Sequence, residues 1–235
     1  MKLIIGNKLH SSWSMRPWLL LKAFGIPFEE VLIPFGPTFD DPDWKRQVKA
    51  HNPAGKVPAL VDGDIQVWES LAIMDYVADL RPELAIWPRD RAARALARSI
   101  AAEMHAGFSA LRSACPVHLG KIFAPRDRGP KVAADVARVT AIWNDARARF
   151  GAKDAGGGPF LFGSFTAADA MYAPVCTRLR SYSIAVDPVS EAYCDAIYAH
   201  PAFVEWREAA IQEPWIVPED EPDDPVLTNF RPHLP

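Results

Sequence analysis

The chain has 235 residues, 49% of them hydrophobic, and its 26 Lys plus Arg against 29 Asp plus Glu give a formal net charge of −3. That is length enough for one large or two modest domains with a full core. No basic run tracks phosphates and no apolar stretch approaches the roughly 20 residues that span a bilayer, so neither a nucleic acid nor a membrane is expected as a partner. Met1–Gly6 is too short for a signal peptide, since charged and turn residues follow at once, and the expected location is cytoplasmic. Cys115, Cys176 and Cys194 are odd in number and lack metal-ligand spacing, which predicts reduced, buried thiols rather than disulfides.

In chain order, Lys2-Leu3-Ile4-Ile5 predicts a buried strand over 2–6, and the serine-rich turn His10-Ser11-Ser12-Trp13-Ser14-Met15-Arg16-Pro17-Trp18 leads into a helix over 14–24 that ends at Gly25. A second strand over 28–33 and a short helix over 43–50 follow. Asn52-Pro53-Ala54-Gly55 is a turn, Val57-Pro58 opens a strand, Asp62-Gly63-Asp64 reverses it, and Glu69-Ser70 starts a helix that runs to Leu80. The order is βαβαββα, with the first two strands parallel because a helix joins them and the last two antiparallel because a tight turn does. Proline donates no ladder hydrogen bond, so Pro58 predicts special geometry, a cis bond that turns the backbone of Val57 outward. Ser70 reads as an N-cap whose free N–H groups suit an anion, and Glu69 beside it suits an ammonium group. A ligand with a peptide-like backbone, a carboxylate and an amine meets all three.

Arg81-Pro82-Glu83-Leu84-Ala85-Ile86-Trp87-Pro88 breaks the helical pattern, which divides the chain into 1–81 and 90–235 with a linker over 82–89. Ala, Arg and Leu at helical spacing predict long helices over 90–119 and 130–150, paired antiparallel. A glycine-rich loop covers 151–159, and Thr166 with Asp169 then has the spacing of a capping box. After Pro214 the chain is rich in proline and acid, with Trp215 and Phe230 as its large anchors, and is expected either to drape over the helices or to be disordered.

The run from Asn52 to Ser70, following the serine-rich turn, resembles the glutathione-binding site of the glutathione transferase superfamily. The turn itself is similar to the S-S-C-S-W-R-V-R motif of the zeta class, with Trp13 in place of the cysteine. The resemblance implies an α/β thioredoxin-like N-terminal domain followed by an all-α domain, a homodimer, and glutathione as co-substrate. It makes Ser11 the stabiliser of the glutathione thiolate, with Ser12 shaping the site, Trp13 at its mouth and Ser14 a second hydroxyl candidate. It gives Val57 the backbone hydrogen bonds to the cysteinyl unit, with Pro58 fixing its carbonyl outward. Lys56 then lies near the glycine carboxylate, and Glu69 and Ser70 hold the γ-glutamyl amine and carboxylate. The capping box is structural in this family.

A thiol with a pKa near about 8.5 is only slightly ionised at neutral pH, and a hydroxyl donor at a helix N-terminus favours the thiolate. Ser14 is open between that role and capping the helix, and Arg16 between substrate contact and a salt bridge that holds the turn. For the second substrate, an electrophile, Met104, His105 and Phe108 fall midway along the first long helix, either as an apolar wall or as core. Arg178 and Arg180 are candidates for an acidic substrate, or solvated helix-end charges; the zeta arginine does not align cleanly, Ser181 falling in its place. Three functions result: a transferase acting on a partly apolar electrophile, which leads; a glutathione-dependent isomerase of the maleylacetoacetate type; and a non-catalytic binding protein of the same fold, which would have no need of three candidate hydroxyls.

Overall fold

A computed structural model describes residues 1–151 and 157–232. Most of the glycine-rich loop, 152–156, and the last three residues lie outside the described part. The chain starts with β1 (Lys2–Ile5), α1 (Ser12–Ala23), β2 (Glu29–Leu32), α2 (Pro42–Lys49), β3 (Ala59–Asp62), β4 (Ile65–Trp68) and α3 (Ser70–Leu80). The sheet order is β2-β1-β3-β4, with β1 and β2 parallel and the other neighbours antiparallel. β1 is central, so Leu3, Ile4 and Ile5 are buried on both faces, as its unalternating apolar sequence requires. α1 carries Leu19, Leu20 and Leu21 in succession, and all three are buried, because the helix lies between the sheet and the helices beyond it. It ends where Gly25 takes a left-handed φ of 62°.

Beyond residue 81 the chain is mostly helical: α4 (Arg91–Ala106), α5 (Ser109–Ala114), α6 (Pro130–Ala146) with a π-helical turn over Arg147–Gly151, α7 (Ala167–Ser181), α8 (Pro188–Ala199) and α9 (Pro201–Gln212). α7 is the buried axis, packed on α1 and α4, with Tyr172 donating to the Ile100 carbonyl at 3.1 Å. Asp169 accepts from the Thr166 N–H at 2.8 Å, the Thr166 hydroxyl at 2.9 Å and the Leu161 N–H at 3.0 Å, tying the preceding loop to the start of α7. Cys115, Cys176 and Cys194 are buried free thiols.

The structure corrects two readings of this region. The helix expected over 90–119 breaks at Gly107-Phe108. Phe108 has a φ of 56°, and a Cβ on Gly107 would sit 2.8 Å from the Glu103 carbonyl oxygen, so only glycine fits that corner. α5 restarts with a cap from outside its own segment, Asp135 of α6 accepting the Leu111 N–H at 2.9 Å. The helical part also contains a small antiparallel sheet, β5 (Lys121–Phe123) with β6 (Val226–Asn229). The proline- and acid-rich tail is thus ordered into a strap.

Trp215 is half-buried and Phe230 is 37% exposed, so neither is the principal anchor. The strap is held by buried Val217, by Asp224 between Arg126 at 2.6 Å and Arg128 at 2.5 Å, and by Arg231, which donates to the Glu213 carbonyl.

Candidate functional site

The site begins where β1 hands over to α1. Ser11 is the N-cap of α1, accepting the Ser14 N–H at 3.3 Å, and the two hydroxyl oxygens lie 2.7 Å apart. Ser14 also accepts the Gly6 N–H at 3.2 Å; it is a buried first-turn residue and not the cap. The loop leading in is held from the far end of the chain, for the Glu213 carboxylate accepts the N–H groups of Lys8 at 2.8 Å and Leu9 at 3.0 Å.

Ser11 and Ser12 open onto a cleft of about 560 Å³, lined by Trp13, Lys56 and Val57 from the N-terminal elements and by Arg112, Arg178 and Asp220 from beyond residue 81. A smaller recess of about 80 Å³ lies between Trp13, Asn52, Lys56, Val57, Pro58 and Glu69. The Val57–Pro58 bond is cis. Asn52 shapes the turn, its side chain accepting the Ala54 N–H at 2.9 Å and donating to the Lys56 carbonyl at 2.7 Å. Glu69, with a φ of 70°, is the N-cap residue of α3 and makes no side-chain cap; Ser70, expected as the cap, is the first helical residue. Its buried hydroxyl has no partner among the described residues, and the Glu69 carboxylate lies 3.5 Å from His105 Nε2.

Three arginines gather around Trp13 and Ser12. The Arg16 guanidinium is 4.0 Å and that of Arg112 4.7 Å from the Trp13 ring centroid, while the His105 ring meets the indole edge-on at 5.2 Å. Arg178 donates to the Cys115 carbonyl and lies 3.4 Å from the Ser12 hydroxyl. Among the described residues Arg16, 1% exposed, makes no salt bridge, which removes one of its two sequence readings, and its Nε and Nη1, with the Nε of Arg178, 4% exposed, have no hydrogen-bond partner. Burial and then the neighbouring Arg178 and Arg112 push the Arg16 guanidinium down, and burial and then Arg112 push Arg178 down to about 10. A guanidinium keeps its proton at neutral pH, so three positive charges lie together with Glu69 and Asp220 as the acids acting on them, a site that an anion further stabilises.

Among the sequence-derived candidates, Ser11, Ser12, Trp13, Lys56, Val57 and Arg178 line the cleft, and Pro58 and Glu69 the recess beside it. Met104 and Phe108 do not: Met104 is 0% exposed and Phe108 is buried at the α4–α5 corner, so both are core. His105 contacts Glu69 and Trp13 outside the cleft lining, and burial pushes its pKa down, against the opposite pull of Glu69. Arg180 pairs with Asp195 and faces away from this chemistry. Sequence reasoning missed Arg112, Asp220 and His10. The first is the half-buried and sole charge of Leu111-Arg112-Ser113-Ala114-Cys115, a weak signal; Asp220 carries no local signal at all. His10 lines the cleft with neither ring nitrogen hydrogen-bonded among the described residues and Nε2 3.8 Å from the Glu221 carboxylate; burial followed by His118 pushes its pKa down to about 3, against the pull of Glu221.

The family profile described as "Glutathione S-transferase, N-terminal domain" matches residues 10–80. Glutathione S-transferase T1 of Arabidopsis thaliana is 30% identical over 190 residues, which cover 77% of this chain and 73% of that protein. The chain belongs to the glutathione transferase family. Within that family it has zeta-like similarity: a probable maleylacetoacetate isomerase of Caenorhabditis elegans is 33% identical over 103 residues, or 43% of this chain and 45% of the relative. That match spans less than half the relative's length. A glutathione transferase homologue from Burkholderia gl BGR1, solved with bound glutathione, superposes with a TM-score of 0.65 at 21% identity over 90% of this chain and 98% of that one, a likeness of fold. Among the described residues no helix is long and apolar enough to cross a membrane, and no group of side chains has the makings of a metal site.

Proposed function

We propose that this glutathione transferase activates the glutathione thiol with Ser11 and directs it at an electrophile that carries a carboxylate. The observation that carries the reading is one cleft in which the N-terminus of α1, the Val57 backbone and the Arg112–Arg178 pair converge. Glutathione would lie with its cysteinyl unit against Val57, its γ-glutamyl end toward Glu69 and Ser70, and its glycine carboxylate toward Lys56. Ser70, buried beside Glu69 at the start of α3 with its hydroxyl unpartnered among the described residues, would meet the carboxylate, and Glu69 would exchange His105 for the ligand's ammonium.

Activation follows from the serine pair. The 2.7 Å contact between Ser11 and Ser14 admits the proton in either direction, and Ser14 already accepts the Gly6 N–H. With sulfur bound, Ser14 donates to Ser11 and Ser11 donates to the thiolate, so Ser14 is a positioning residue. The thiol proton leaves to solvent. The sulfur lone pair then forms a bond to the electrophilic carbon, and either a leaving group departs with its bonding electrons or a double bond takes up a proton. The arginine pair orients the substrate through its carboxylate.

Ultraviolet absorbance of the bound thiolate against pH tests this: a thiol pKa well below about 8.5 is expected, and an ordinary one transfers the protein to the non-catalytic reading. The arginine cluster also suits glutathione-dependent cis-trans isomerisation of an unsaturated acid, as the isomerase relative's name suggests. Proton NMR of the products separates the two, since an isomerase returns glutathione unchanged. A two-fold dimer is part of the proposal, with exposed Ile65 and Trp68 on the edge strand β4 available to a second subunit. Light scattering at micromolar concentration checks it.

A further inference from the structure

The strap carries three consecutive acids, Glu219, Asp220 and Glu221, and they are not equivalent. Glu219 accepts the Phe39 N–H at 3.3 Å. Glu221 binds His118 at 3.0 Å and Lys121 at 2.7 Å. Asp220, between them, makes neither a side-chain hydrogen bond nor an ion pair within 4 Å among the described residues, and it is the one of the three that lines the cleft. Its neighbours fix it there: the turn before it is closed by its own N–H to the Val217 carbonyl at 2.9 Å, and the chain after it is locked to β5.

Resting on the transferase reading, we propose that Asp220 is a specificity-determining residue: lining the same cleft as Arg112 and Arg178, it selects an electrophile bearing one carboxylate and, separately, a hydroxyl or ammonium donor, and it rejects diacids. Among the described residues the arginines supply in Arg178 Nε a buried donor without an acceptor, and the strap supplies an acceptor without a donor. A ligand with one carboxylate and one donor completes both, whereas a second carboxylate on the Asp220 side meets a like charge in a partly desolvated cleft. Burial raises the Asp220 carboxyl to about 6, against the opposing pull of Arg178, so above neutral pH it is the acceptor the proposal requires.

The test uses unreactive probes, aminomethyl-nitrobenzoate for the acid with a donor and nitroisophthalate for the diacid, titrated calorimetrically at about pH 8 with and without glutathione. Wild type is expected to prefer the aminomethyl acid about 10- to 100-fold, the range for a hydrogen bond to a charged group, and Asp220→Asn to bring the ratio to within about threefold of unity. Asp220→Ser, with a shorter polar side chain, serves as the second variant, and melting curves report folding of both. A ratio near unity in wild type, or one unchanged in both folded variants, overturns the inference. Failure of wild type to bind glutathione in the same cell instead removes the transferase reading, and the ratio without glutathione still decides the role of Asp220. If chloronitrobenzoate counterparts are turned over, the C–S bond forms as chloride leaves with its electron pair, and kcat/KM should follow the same order.

Discussion

The two walls of the cleft are built in different ways. The wall proposed for glutathione comes from one stretch of chain, Asn52 to Ser70, and from the α1 cap; the Val57 backbone and the side chains of Ser11, Lys56, Glu69 and Ser70 are placed there by a turn, a cis bond and two helix starts. The other wall draws Arg112 from α5, Arg178 from α7 and Asp220 from the strap, and it acts through side chains alone. Groups placed by local geometry suit a ligand that does not vary, and side chains gathered from distant segments change one at a time to suit a second substrate that does.

That contrast can be broken. The largest effect is expected from Ser11→Ala, which removes the hydroxyl facing the sulfur: turnover at neutral pH should drop by about one to three orders of magnitude, with each pKa unit worth about 1.4 kcal/mol, while glutathione affinity barely changes. Loss of the cap should cost about 1 kcal/mol of stability as well, read in the melting curve. Should Ser12→Ala move the thiolate titration and Ser11→Ala leave it unmoved, the role passes to Ser12.

Glu69→Ala probes the glutathione wall alone and should weaken glutathione binding by roughly 1.5–3 kcal/mol in calorimetry. Wild-type affinity in that variant would detach Glu69 from the ligand. Arg112→Gln probes the other wall: KM for an acidic electrophile should rise about tenfold, with glutathione affinity and turnover of a neutral electrophile little changed. An equal effect on both electrophiles would mean that the arginine acts through Trp13 rather than on the carboxylate.

The smallest expected effect concerns the joint between the walls. His10 is held neutral with its pKa pushed from 6.5 to about 3, so between those values the unfolded chain takes up a proton that the folded protein refuses. Its contribution to stability is therefore present above 6.5 and is lost as pH falls toward 3, with a slope of up to about 1.4 kcal/mol per pH unit. His10→Phe should flatten the acid limb of the melting temperature against pH relative to wild type.

Much of the fold and half of the site were legible in the residues. The βαβαββα order followed from periodicity and turn chemistry, and the glutathione wall from Val57-Pro58, Glu69-Ser70 and the serine turn, because those signals act over a few residues. Ser70 was placed one position out, since Glu69 takes a positive φ that nothing in its side chain announces.

Met104 and Phe108 have the spacing of a wall, and only packing shows that they face the core. The break of α4 depends on how close the Glu103 carbonyl comes to Gly107, and the restart of α5 on a cap from Asp135. Above all, the strap reads as a tail in sequence, because it is held by hydrogen bonds to β5 and to Phe39, more than 90 residues away. Short-range chemistry is written in neighbouring residues, so this sequence by itself determined the turn, the Val57–Pro58 strand start and the helix start of the wall proposed for glutathione; the wall proposed for the electrophile depends on long-range proximity of side chains, which only the tertiary structure decides.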